Sequence, residues 1–196
     1  LDKCLVLDPA PSEPTAQRQD PNARNALIVA GMDCWGRKFL LEAWAERVDY
    51  VAVIDKVFAL AAAWATDRLH VEEVNFSNVY RHWIAREQLP SGKYAKRTLR
   101  VLPLYPKGRE KHTRIVARQP ETMGGLWYLV LSNTLPFQVE FSEYPNSSTV
   151  DVLDAWAYTP ECLQRPLSPS EAALVRRNQR HAPYSEAYYE QGLQGY

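Results

Sequence analysis

KCLVLDPA, Lys3 to Ala10, is the stretch on which the fold turns. It is a short apolar run closed by Asp8-Pro9. It reads as a buried strand that stops where the proline ring removes a ladder donor. Asp8 then stands at the C-terminal end of that strand. Pro9 to Asn25 is rich in proline and polar residues and reads as a loop. NALIVAGMD (Asn25 to Asp33) and RKFLLEAWAERV (Arg37 to Val48) follow, separated by the compact turn signal Asp33-Cys34-Trp35-Gly36, so the first strand opens a three-strand antiparallel meander.

Beyond Asp49, a helix N-cap, the spacing of Ile54, Val57, Phe58, Ala61 and Ala65 predicts a helix over Tyr50 to Thr66. RLHVEEV (Arg68 to Val74) reads as a strand and Asn75 to Gln88 as a second helix. Thr98 to Pro106 reads as another strand, with Trp127 to Asn133 and Phe137 to Tyr144 as further strand candidates. STVDVLDAWAY (Ser148 to Tyr158) then reads as an apolar helix. This order predicts an α/β domain whose mixed sheet joins an antiparallel meander to parallel strands, flanked by helices. The first strand is central and the strand carrying Glu72 is its parallel neighbour. Ser168-Pro169-Ser170-Glu171 is a capping box that predicts a short helix to about Arg180, followed by an unstructured polar tail dotted with tyrosines. The expected division is a domain over residues 1–164 and a helix with flexible tail over 165–196.

The chain has 196 residues, enough for one ordinary core. Its 23 basic and 23 acidic residues balance, so a nucleic-acid site must come from local clustering of charge. Cys4, Cys34 and Cys162 are odd in number and far apart, which argues against a disulfide framework or thiolate zinc site and fits a reducing, intracellular setting. No apolar run is long enough for a bilayer and no leader pattern precedes the first strand, so a soluble, unexported protein is expected. The start at Leu1 without Met suggests a piece of a longer polypeptide. The histidines lack zinc spacing, Ser91-Gly92-Lys93 lacks the upstream glycine of a phosphate loop, and most of the tryptophans fall within predicted elements, as packing residues do.

Asp8, Glu72 and Asp151 are the candidate site. Hydrolysis of a phosphodiester by two divalent metals needs several carboxylates in a small space, because hard cations take oxygen ligands and two cations about 4 Å apart must be neutralised together. Asp8 and Glu72 would emerge near the same strand ends, and a helix across that end would bring Asp151. Each acid also has a plainer reading. Asp8 suits a turn before proline, Glu72 and Glu73 place one acid on each face of a strand, and Asp151 suits a capping box opened by Ser148. Asp154 shares a helix face with Asp151.

The combination LVLDPA, a meander ending in FLLEAW, LHVEEVNF, VLPLYPKGREKHTRI and STVDVLDAWAY resembles the nuclease domain of the large terminase subunit of tailed double-stranded DNA bacteriophages. The likeness runs from about Leu1 to Gln164. It implies a ribonuclease H-like fold and a two-metal endonuclease that cuts concatemeric viral DNA during genome packaging, in the cytoplasm of an infected bacterial host. It implies Asp8, Glu72 and Asp151 as catalytic metal ligands for two Mg2+ or Mn2+ ions, with Asp154 as the acid one turn later and Glu73 as the alternative on the fourth strand. The family often carries adjacent aspartates at the helix start, where this chain has Val150. Its partners would be duplex DNA and, by the same resemblance, the terminase ATPase domain, the small terminase subunit and the portal. No phosphate loop of such an ATPase occurs in this chain.

From Lys93 to Arg118 basic residues crowd together with Glu110 as the only acid. Such clustering suits phosphate contact or a solvated loop. The resemblance favours DNA, with Lys107, Arg109, Lys111 and Arg114 as the candidate contacts. Two rival classes stay open: another ribonuclease H-like enzyme, such as a junction resolvase or transposase-type domain, and a non-catalytic module that docks DNA or a portal.

Overall fold

The computed structural model describes residues 1–10, 24–72, 77–106 and 108–181. The expected loop through residues 11–23, the acid Glu73, the base Lys107 and the tail beyond 181 lie outside the described residues. The chain divides into two compact units, Leu1–Arg165 and Pro166–Tyr196.

The first unit is built on one six-stranded mixed sheet. Its strands are β1 (Asp2–Asp8), β2 (Asn25–Met32), β3 (Lys38–Glu46), β4 (Arg68–Glu72), β5 (Arg100–Leu104) and β6 (Trp127–Leu129), in the order β5-β4-β1-β2-β3-β6. β1, β2 and β3 form the antiparallel meander, while β4 runs parallel to β1, β5 parallel to β4 and β6 parallel to β3. This is the mixed sheet anticipated from the sequence, an antiparallel three-strand meander joined to parallel strands. Cys4 through Leu7 are fully buried because β1 lies inside the sheet and both its faces are covered. Pro103, which cannot donate to a ladder, is tolerated because β5 is an edge strand.

Strand alternation splits the apolar residues into two cores. Leu5 and Leu7 face α1 (Tyr50–Ala63) and α2 (Ser77–Glu87), packing with Val53, Val57, Phe58 and Ile84. Cys4 and Val6 face the other way, toward Val152, Leu153 and Trp156 of the long helix α6 (Asp151–Cys162). A register shift between Val29 and Ala30 inserts an extra β3 residue, so the alternation slips and Leu41 and Ala43, two positions apart, turn to opposite cores. Asp49 caps α1, its side chain accepting from the Ala52 amide at 2.9 Å.

Between β5 and β6 stand two short helices that periodicity did not disclose, α3 (Lys111–Val116) and α4 (Gln119–Met123). The strand expected over Trp127 to Asn133 ends at Leu129 and gives way to a 3₁₀ turn, Leu131–Asn133. The strand expected over Phe137 to Tyr144 is instead a helix, α5 (Leu135–Glu143). FQVEFSEY alternates like a strand, but Pro136 near the start suits a helix N-terminus, and Phe137 stacks on Phe141 one turn away, both rings meeting Trp156. The long helix, α6 (Asp151–Cys162), is buried from Val152 through Thr159.

In the second unit, α7 (Pro169–His181) starts on the expected capping box. Ser168 N–H donates to Glu171 Oε2 at 2.7 Å, and Glu171 N–H donates to Ser168 Oγ at 3.2 Å. Among the described residues no helix is long and apolar enough to cross a membrane.

Candidate metal centre

Register brings the first two acids together. Leu5, Val6 and Leu7 of β1 pair with Leu69, His70 and Val71 of β4, so Asp8 and Glu72 occupy equivalent places one step further, at the same ends of parallel neighbours. Both are buried, at 6% exposure each. α6 crosses the same end and adds Asp154, fully buried. One oxygen from each of Asp8, Glu72 and Asp154 lies within 4.8 Å of the others, a span that a single hard cation can bridge with carboxylate oxygens. Hard donors, close spacing and burial together fit a divalent ion of the magnesium type.

Asp151 stands beside this group rather than within it. Its Oδ2 accepts the Arg24 backbone N–H at 3.1 Å, and its Oδ1 lies 3.7 Å from Lys111 Nζ. Lys111 joins the acids: its ammonium is 3.2 Å from Asp8 Oδ2 and 3.2 Å from Asp154 Oδ2. Arg114 is buried at 6% exposure and donates to both oxygens of Asp154, with Nη2 also 3.5 Å from Glu72 Oε1. Lys111 and Arg114 thus turn their charges inward, onto carboxylates. Arg109 pairs with Glu161 at 2.9 Å, and Arg100 with Asp67 at 2.9 Å. Much of the basic excess read from the sequence is therefore matched locally by acids from other parts of the chain.

Burial pushes the Asp8 carboxyl well above the usual carboxylate range, and Asp154 and Glu72 push the same way, against the pull of Lys111. Burial also raises Asp154, despite Lys111 and Arg114. Burial works to lower the Lys111 ammonium, yet Asp8, Asp154 and Asp151 overcome it and hold the proton more tightly than usual. Without a metal, the cluster favours keeping its resident cations charged and a carboxyl protonated.

Three supporting residues carried no mark in the sequence reading. Tyr158 donates its O–H to Glu72 Oε1 at 2.7 Å while the Arg114 guanidinium lies 4.7 Å from its ring centre. It follows Asp151 and Asp154 at positions i+7 and i+4 of one helix face, a signal available from spacing alone. Glu140 of α5 supplies the missing cap of α6: the N-cap Val150 has no side chain to offer, and Glu140 Oε2 accepts the Leu153 N–H at 3.0 Å. Arg24 ties Glu140 to Thr149, donating to both. Glu140 was hidden because its segment alternates like a strand, and Arg24 because only the β1–β2 register brings it near Asp8. A cleft of about 290 Å³ opens beside the acids, lined by Asp8, Arg24, Lys111, Ser148, Thr149 and Asp151.

No protein-family model matches the chain, and no curated protein does. Among solved structures it is similar to the crystal structure of the yeast mitochondrial Holliday junction resolvase, at 11% identity and a TM-score of 0.49, over 81% of this chain and 84% of that one. A likeness so distant transfers no residue's role.

Proposed function

We propose that this chain is a metal-dependent DNA endonuclease. The observation that carries the reading is the convergence of Asp8, Glu72 and Asp154, from two parallel strand ends and a crossing helix, on one buried point beside an open cleft. Asp8, Glu72 and Asp154 would hold the metal, with Asp151 at the cleft wall. A bound divalent ion supplies Lewis acidity, lowering the pKa of a water for attack on phosphorus and stabilising developing charge on oxygen. Arg114 fixes the Asp154 carboxylate through a two-point contact, and Tyr158 holds Oε1 of Glu72, so the ligands are aimed before any ion arrives. The Arg24 amide does the same for Asp151.

The finer assignment, to the nuclease of a phage terminase acting on concatemeric duplex DNA with its ATPase, small subunit and portal, rests on the motif likeness. Junction resolution, the activity in the name of the yeast protein, uses the same metal logic on a different substrate. The two separate by substrate form. Plasmid and a four-way junction are incubated with Mn2+ and wild-type protein, or with Asp8→Ala, Glu72→Ala, Asp151→Ala or Asp154→Ala. Terminase-like action nicks or linearises plain duplex, while resolvase-like action spares plasmid and cuts the junction. Equal results from wild type and all variants would leave only a docking module.

A further inference from the structure

We infer that Lys111 is the resident second cation of this site, so that the carboxylates take up one divalent ion where a two-metal site would take two. The inference rests on the nuclease reading above and deepens it.

The first ground is position. In a two-metal site the ions stand about 4 Å apart and share a bridging carboxylate. Here the Lys111 ammonium sits 3.2 Å from Asp8 Oδ2, 3.2 Å from Asp154 Oδ2 and 3.7 Å from Asp151 Oδ1. It bridges the strand-end acid and both helix acids, on the side that faces the cleft. An ion linking Asp8 to Asp151 would have to take the space the ammonium fills. The oxygens of Asp8, Glu72 and Asp154 that lie within 4.8 Å of one another still offer a place for a single ion.

Charge is the second ground. Asp8, Glu72, Asp151, Asp154 and the adjoining Glu140 face three built-in cations, Arg24, Lys111 and Arg114, and Arg114 cannot leave: it is buried, held by two-point donation to Asp154 and anchored by donation to the Arg109 carbonyl at 2.6 Å. With Lys111 also in place, the surplus negative charge of the ionised cluster equals that of one divalent ion. A second divalent ion would leave two positive charges in excess with Lys111 in place, against one without it, and a site whose Asp8, Glu72 and Asp154 are buried disfavours the larger excess. Lysine suits the role because its compact ammonium is a point charge on a flexible stem, able to stay with the acids while the cleft fills.

The test counts ions without requiring catalysis. Metal-free protein is titrated with Mn2+ in the absence of DNA, and bound ions are counted from the loss of the free Mn2+ paramagnetic resonance signal. Wild type is expected to bind one ion. Lys111→Met, which keeps the stem and removes the charge, is expected to bind two, and Lys111→Arg to return to one. Thermal melts confirm that each variant is folded. Two ions in wild type, or one in Lys111→Met, overturns the inference. Wild type that takes two ions and still cleaves plasmid in Mn2+ sinks the lysine role alone, whereas a wild type that binds none sinks the metal-dependent reading with it.

Discussion

Arg114 closes on Asp154 with Nε 2.9 Å from Oδ1 and Nη2 2.7 Å from each carboxylate oxygen, in a spot where neither side chain is more than 6% exposed. Such a pair gains less from its attraction than it loses if one partner is removed, because the survivor stays buried and charged. Arg114→Met is therefore expected to destabilise the metal-free protein by about 3–5 kcal/mol in urea unfolding. Adding Asp154→Leu to it should recover most of that loss. Equal stability of Arg114→Met and wild type would contradict the buried pairing.

Asp8 gives a prediction in the opposite direction. Its folded pKa is raised, chiefly by burial, so the folded state keeps a proton that the unfolded state releases near the ordinary value of 3.8. Its contribution to stability is present below that value and is lost as pH climbs through the raised folded pKa. Asp8→Asn should melt no lower than wild type at neutral pH without metal, lose the Mn2+-induced rise in Tm, and cleave DNA at least about 100-fold more slowly. A lower metal-free Tm with the Mn2+ response intact would refute this.

Tyr158→Phe deletes one hydroxyl and leaves the ring against Arg114. Glu72 then loses the donor that orients it, which should cost about 1–2 kcal/mol and weaken Mn2+ binding by about 10- to 100-fold, measured by calorimetric titration. Unchanged Mn2+ affinity would make the hydroxyl a packing detail.

Glu140→Ala removes the surrogate cap of α6 and leaves Arg24 without its buried partner. A loss of at least about 1–2 kcal/mol in urea melts is expected, with a weaker Mn2+ response because α6 carries Asp151 and Asp154. Glu143→Ala, on the same helix but not in this network, serves as the control and should stay near wild type.

His70 sets an acid limit. Burial pushes its imidazole down to about 4, and Nε2 has no hydrogen-bond partner among the described residues. Between the ordinary value of 6.5 and about 4 the unfolded chain binds a proton that the folded chain does not, so stability is present above 6.5 and falls as pH drops through this window. The expected loss is on the order of 2 kcal/mol, and His70→Leu should flatten it in melts at pH 7 and pH 4.5. The same slope in wild type and variant would place the acid sensitivity elsewhere.

The central strand, the meander and α1 were legible because their signals are local: an apolar run ended by proline, a compact turn, and apolar residues at helical spacing behind an N-cap. Asp8 beside Glu72 followed once β4 was set parallel to β1. What escaped was decided by tertiary contacts. Phe137 to Tyr144 alternates as a strand should, yet its aromatic residues are worth more stacked on Trp156 in a helix. The run of bases from Lys93 to Arg118 reads as a surface for phosphates when its acids are out of view in sequence. Folded, Asp154 and Glu161 come from α6 to meet Arg114 and Arg109. Spacing gave Asp151 and Asp154 one face but could not rank their depth, since depth depends on how far α6 overhangs the sheet.

β1 is bonded along its length to β2 and on its other side to β4. Its amides should be among the slowest in the molecule to exchange with deuterium, since they are freed only by opening that breaks ladders on both sides. Asp8 is the last residue of that strand. Fraying of outer elements such as β5 or β6 can thus come and go on fast timescales while the anchor of the acidic cluster holds its bearings.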